Sequence, residues 1–160
     1  MTTCRLFFAA VFAATTTLAA QPPTSVRIVG PRTLVVSASD LAAMPRTTVT
    51  ATAHERTANY EGVSLRELLT RVGVPFGEAL RGRALAAAVV VTGADGYRVV
   101  FGVAELDPGF TDRLAILADK RNGLPLAGDE GPFQVILTGE KRPARWVRQV
   151  AKIEVRAIDE

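Results

Sequence analysis

Beyond residue 25 the apolar positions recur mostly with a period of two, the spacing of strands that bury one face. Val26 to Val29 and Thr33 to Val36 are short β-branched runs broken by Gly30 and Pro31, which predicts two strands joined by a turn. Asp40 to Met44 allows one helical turn, stopped by Pro45. From Arg46 to Ala53, Thr47, Val49, Ala51 and Ala53 alternate with Thr48, Thr50 and Thr52, a strand pattern, and Thr57 to Tyr60 is placed to pair with it.

One segment switches to a helical period. In Val63 to Gly73, Ser64 and Glu67 have the spacing of a capping box, and Leu65, Leu68, Leu69 and Val72 fall on one face. Val63 and Leu68 occupy the staple positions, Gly73 suits a left-handed cap and Pro75 forbids continuation. Strands then resume. Ala86 to Val91 and Tyr97 to Phe101 flank a Gly-containing loop, while Leu114 to Asp119 and Leu124 to Leu126 flank Asn122 and Gly123, a pair suited to positive backbone dihedrals. Phe133 to Leu137 reads as a buried strand, and Ala151 to Ala157 closes the chain with Ile153, Val155 and Ala157 facing one way. With no internal repeat and no low-complexity linker, the pattern predicts one strand-rich, mixed α+β domain.

The first twenty residues follow a different logic. Arg5 precedes the apolar run Leu6 to Ala14, and Leu18, Ala19 and Ala20 make a small-residue end, the layout of a secretory signal peptide. The run is shorter than the roughly 20 residues that span a bilayer, and no later segment reads as a membrane span. The expectation is therefore a leader over residues 1–20 and a periplasmic or secreted domain over residues 21–160. The chain's one cysteine, Cys4, lies in that leader. A domain cut free of it has no thiol for a disulfide, a Cys-ligated zinc or iron–sulfur centre, or a cysteine nucleophile.

Composition adds exclusions. With 48% hydrophobic and 22% charged residues the chain is ordinary globular material, and a net charge of +3 is too small to imply nucleic acid or a membrane surface as partner. His54, the one histidine, cannot build a zinc site without thiols or suitably spaced carboxylates, and no Gly-x-Ser-x-Gly elbow presents a serine to it. It is read as a solvated strand-end residue. Asp107, Asp112, Asp119, Asp129 and Glu130 are available for acid–base pairing, yet several stand beside Gly or Pro, where Asp serves turns. No glycine pattern forms a phosphate cradle. The basic run is more informative: Lys141, Arg142, Arg145, Arg148 and Lys152 surround Trp146. Arginines can fork onto a phosphate while an indole offers a stacking face, so a phosphorylated, ring-bearing ligand suits the set. A solvated basic face over a core tryptophan suits it equally.

The chain resembles the oxidoreductase molybdopterin-binding domain family, whose fold is shared by sulfite oxidases and the catalytic subunits of bacterial methionine-sulfoxide reductases. The resemblance spans about Val26 to Ile158. It rests on Tyr60-Glu61-Gly62-Val63-Ser64-Leu65 with Glu67-Leu68-Leu69, Asp95-Gly96-Tyr97, Asn122-Gly123-Leu124-Pro125-Leu126, Gly131-Pro132, and Arg145-Trp146-Val147 followed by Ile153-Glu154-Val155. It implies a strand-rich α+β fold and admits molybdopterin as cofactor. In catalytic members a cysteine thiolate ligates molybdenum shortly after a strand similar to Thr47 to His54; here Glu55 and Arg56 follow. His54, Lys141, Arg142 and Arg145 match places where the family contacts pterin and phosphate, and they are the cofactor-binding candidates. Gln134 falls where relatives commonly carry arginine. The leader has a single arginine and not the pair that directs export of folded, cofactor-loaded proteins.

These observations predict an exported binding or accessory module without bound molybdenum, with a small anionic or pterin-like ligand and a periplasmic protein as candidate partners. Two alternatives stay open. One is a molybdopterin-dependent oxidoreductase with an oxygen donor such as Glu55 on the metal. The other is a module that binds a protein partner through a sheet edge or the Trp146 surface.

Overall fold

The structure is a computed structural model that describes residues 21–158. The leader expected at residues 1–20 lies outside the described residues. None of the described helices is long and apolar enough to cross a membrane.

The first sheet is built from β1 (Ser25–Val29), β2 (Thr33–Ser37), β5 (Ala87–Gly93), β6 (Arg98–Gly102) and β10 (Val150–Ala157), in the order β2-β1-β10-β5-β6. β1 and β2 form the predicted hairpin, and β5 and β6 form another. The last strand inserts between them, parallel to β1 and antiparallel to β5. One inward row therefore runs Leu34, Ile28, Ile153, Val91, Val99 across all five strands, and Ile28, Ile153 and Val91 are wholly buried. Burying each such side chain stabilises the fold by roughly 1.5–3 kcal/mol. The inward face of β10 departs from strict alternation. A bulge between Val150 and Lys152 turns both Val150 and Ile153 into the core, Val155 is half-buried and Ala157 is exposed.

The second sheet holds β3 (Thr47–Ala53), β4 (Arg56–Ser64), β7 (Ala115–Arg121) and β8 (Leu124–Pro125), with β9 (Gln134–Leu137) also pairing β7. Two tight turns set its registers. His54 and Glu55 have φ of 48° and 65°, and Asn122 and Gly123 have φ of 51° and 80°, so each is a two-residue loop with both dihedrals positive. The second of these follows the Asn-Gly signal; the first carries no glycine and is held by the seven-residue ladder between β3 and β4.

Helix α2 (Leu65–Arg71) closes one side, with Leu65, Leu68, Leu69 and Val72 buried as the period required. The Ser64 hydroxyl accepts from the Glu67 amide at 3.1 Å. The Glu67 carboxylate does not complete the box, because it accepts from Arg71 one turn on, at 2.8 Å. A reciprocal box forms instead at α1 (Ala38–Ala42), between Ser37 and Asp40. The α+β, strand-rich architecture is the one read from the sequence.

β4 crosses β7 with an irregularity between Glu61 and Gly62. A Cβ built on Gly62 would lie 2.0 Å from the Leu117 carbonyl oxygen, so only a bare Cα fits there. Gly62→Ala is expected to cost about 2 kcal/mol or more of folding free energy by forcing the two backbones apart, measured as a lowered urea midpoint.

Candidate functional site

A cleft of about 1320 Å³ opens where the β3–β4 turn, the end of β7 and the segment 141–148 meet. Its floor includes Trp146, buried, with its indole N–H donating to the Leu137 carbonyl at 3.1 Å. Tyr60, also buried, meets that ring edge-on, the centroids 5.7 Å apart and the planes at 77°. The indole is thus core as much as lining. Its N–H is engaged and the ring is only 6% exposed, so it is not the open stacking platform that the sequence suggested.

The cleft walls carry cations of two kinds. Arg121 is paired to Glu130 at 2.6 Å, and that carboxylate, helped by the Tyr60 hydroxyl, raises the guanidinium above its usual range. Arg148 is paired to Asp129 at 2.9 Å. Arg56, Lys141 and Arg142 are exposed, and no acidic side chain among the described residues pairs with them. His54 stands on the rim at the first turn position, exposed and just past the end of β3. Beside it Glu55 also lines the cleft.

One buried group is unsatisfied. Gln134 is only 4% exposed, and its Oε1 has no hydrogen-bond partner. Leaving such an acceptor unpaired costs about 1–3 kcal/mol, so the amide calls for a donor in the cleft it lines.

Three of the four sequence candidates, His54, Lys141 and Arg142, therefore come together, and the fourth does not. Arg145 points to the other side, where it donates to Glu140 at 2.6 and 3.3 Å and to Glu105 at 3.0 Å, and its guanidinium lies 5.0 Å over the Phe101 ring. Hydrogen bonding to Glu140, with Glu105 beyond it, raises its pKa well above the usual arginine value. Glu105 is pushed up by burial, but the Gly102 amide and Arg145 outweigh this and hold its carboxyl below the usual range. Arg145 is a strut between the two sheets. Lys152 leaves the basic run altogether: on β10 it pairs with Glu154 at 2.9 Å.

The carboxylates divide similarly. Asp107 serves a turn as expected, accepting from the Gly109 and Gly77 amides, which hold it below the usual carboxylate range. Asp119, Asp129 and Glu130 are ion-pair partners of Arg46, Arg148 and Arg121. No group of three His, Cys, Asp or Glu among the described residues is arranged to hold a metal ion. Sequence reading missed Arg56, Tyr60, Arg121 and Glu130 as cleft residues. Only the turn signal at Asn122-Gly123 hinted that Arg121 ends a strand there.

The family model described as "Oxidoreductase molybdopterin binding domain" matches residues 23–160. Among solved structures the chain is similar to the sulfane dehydrogenase SoxCD from Paracoccus pantotrophus, at 22% identity and a TM-score of 0.66. The match covers 89% of this chain and 41% of that one, so the chain spans less than half of that neighbour's length. No curated protein is significantly similar.

The division of cations predicts unequal stability effects. Arg145→Ala leaves Glu140 only Arg113 and Glu105 only the Gly102 amide as hydrogen-bond partners and lowers stability by roughly 1–2 kcal/mol, whereas Lys141→Ala and Arg142→Ala each change it by less than about 0.5 kcal/mol. Urea unfolding of the three variants checks this.

Proposed function

The chain belongs to the oxidoreductase molybdopterin binding domain family, and from that premise we propose that it is an exported, non-catalytic binding or accessory module whose cleft takes an anionic, pterin-like ligand and holds no molybdenum. One observation carries the reading: the cleft gathers unpaired cations and a buried unsatisfied acceptor, and no residue after Cys4 has a thiol.

The residues fit the organic part of a molybdopterin. Arg56, Lys141 and Arg142 would hold a phosphate by charge-assisted hydrogen bonds, and Gln134 would accept from a ring N–H. They do not fit its metal. A thiolate both anchors molybdenum and tunes it, and the carboxylate or guanidinium of Glu55 and Arg56 in its place does not do both. The connection that follows β3 is only His54 and Glu55, a turn whose two residues are fixed by the ladder on both sides. The leader with its single Arg5 supports export of an unfolded, unloaded chain.

The position of Glu55 on the cleft rim favours a second reading, in which a carboxylate oxygen stands in as the metal's protein ligand and the chain is an oxidoreductase.

Trp146 is the chain's one tryptophan, so its fluorescence reports on the cleft floor. Titration with a phosphate-bearing pterin is expected to quench it saturably, the same pterin without phosphate to bind at least about tenfold more weakly, and Lys141→Ala/Arg142→Ala to abolish that difference. Equal affinity for the two pterins, or a double variant that binds the phosphate form as wild type does, would overturn the anion site.

A further inference from the structure

We propose that the free edge of β3 binds an extended segment of another protein by strand addition, antiparallel to β3, with acidic residues at the segment's leading end entering the basic cleft. It goes beyond the ligand reading and does not rest on it, although both use Lys141 and Arg142.

The backbone phase of β3 follows from its turn. In a two-residue hairpin loop the flanking pair, Ala53 and Arg56, exchanges both backbone hydrogen bonds, and such pairs recur at every second residue. Ala51, Val49 and Thr47 therefore bond to β4, while the N–H and C=O groups of Thr48, Thr50 and Thr52 point away from it. The opposite strand agrees. Asn59, which faces Thr50, turns its own backbone to β7, accepting from the Asn122 amide at 2.7 Å and donating to the Asn122 side chain at 2.9 Å. Nothing among the described residues pairs with the outer edge of β3.

That edge lacks three of the devices that protect exposed strands. Over seven residues it carries no charge, no proline and no bulge. It borders a groove of about 290 Å³ whose other wall is Leu137, Gly139, Glu140 and Trp146. Glu140, the groove's acid, is neutralised by Arg145 and Arg113. Groove and cleft share Trp146, and the cleft begins at Ala53, where β3 ends. A strand added to Thr48, Thr50 and Thr52 would gain their six outward groups, and its extension past Ala53 would meet Arg56, Lys141 and Arg142. Charge complementarity selects acidic residues for that extension.

The test uses a synthetic peptide of three aspartates followed by six alternating threonine and valine residues, measured by isothermal titration against the protein as purified from the cells that make it. Three changes are each expected to weaken binding at least about tenfold: lysines in place of the aspartates, N-methylation of alternate peptide amides, and Thr50→Pro in the protein. Proline at 50 removes an N–H that points outward, so the β4 ladder is untouched, and N-methylation needs no change in the protein at all. The phosphate-bearing pterin should bind Thr50→Pro as it binds wild type, which separates failure of the edge from failure of the ligand site. No binding, or binding indifferent to N-methylation, would overturn the proposal. So would concentration-dependent self-association of the protein alone that Thr50→Pro abolishes, since the occupant would then be a second copy.

Discussion

The hydrogen bond from the Trp146 indole to the Leu137 carbonyl anchors the segment that forms the floor of the cleft. A buried indole N–H must find an acceptor, and here it finds one at the end of β9. The bonds from Val135 to Val147 and from Val150 to Phe133, both 2.9 Å, then strap the rest of the segment along the same strand. Its neighbours have little freedom left. Arg145 falls on the side of Glu105 and Glu140, Trp146 goes into the core against Tyr60, and Lys141, Arg142 and Arg148 are left at the cleft. A run of cations that looks uniform in the sequence is split by one buried ring into a strut and a binding wall.

That wall has hard chemistry. Guanidinium and ammonium groups recognise oxyanions, a glutamine amide recognises N–H groups, and neither set grips a soft metal. The chain belongs to an oxidoreductase family, and its β3–β4 connection is a tight turn of His54 and Glu55.

The strands were legible because β-branched alternation and turn residues are local signals, and they located both sheets' members, down to the Asn122-Gly123 turn. The helix at Ser64 was legible too, apart from the competition for Glu67, which depends on whether Arg71 is near enough to take its carboxylate. Nonlocal facts were not legible. Nothing in Arg121 or Glu130 announces that β7 brings them beside Tyr60, and nothing in Arg145 distinguishes it from Arg142 until Phe101 and Glu105 arrive from another strand and turn. The bulge that turns Val150 inward alongside Ile153 is likewise set by the ladder with β5. Half of the cleft is therefore assembled by pairing between segments distant in sequence, which no periodicity reports.

The most direct measurement is the molybdenum content, per chain, of protein isolated from the cells that make it, with organic cofactor determined on the same sample. Molybdenum far below one atom per chain is expected, whether or not an organic ligand is bound. One molybdenum atom per chain would contradict it, and would make this an oxidoreductase that holds its metal without a thiolate from the protein.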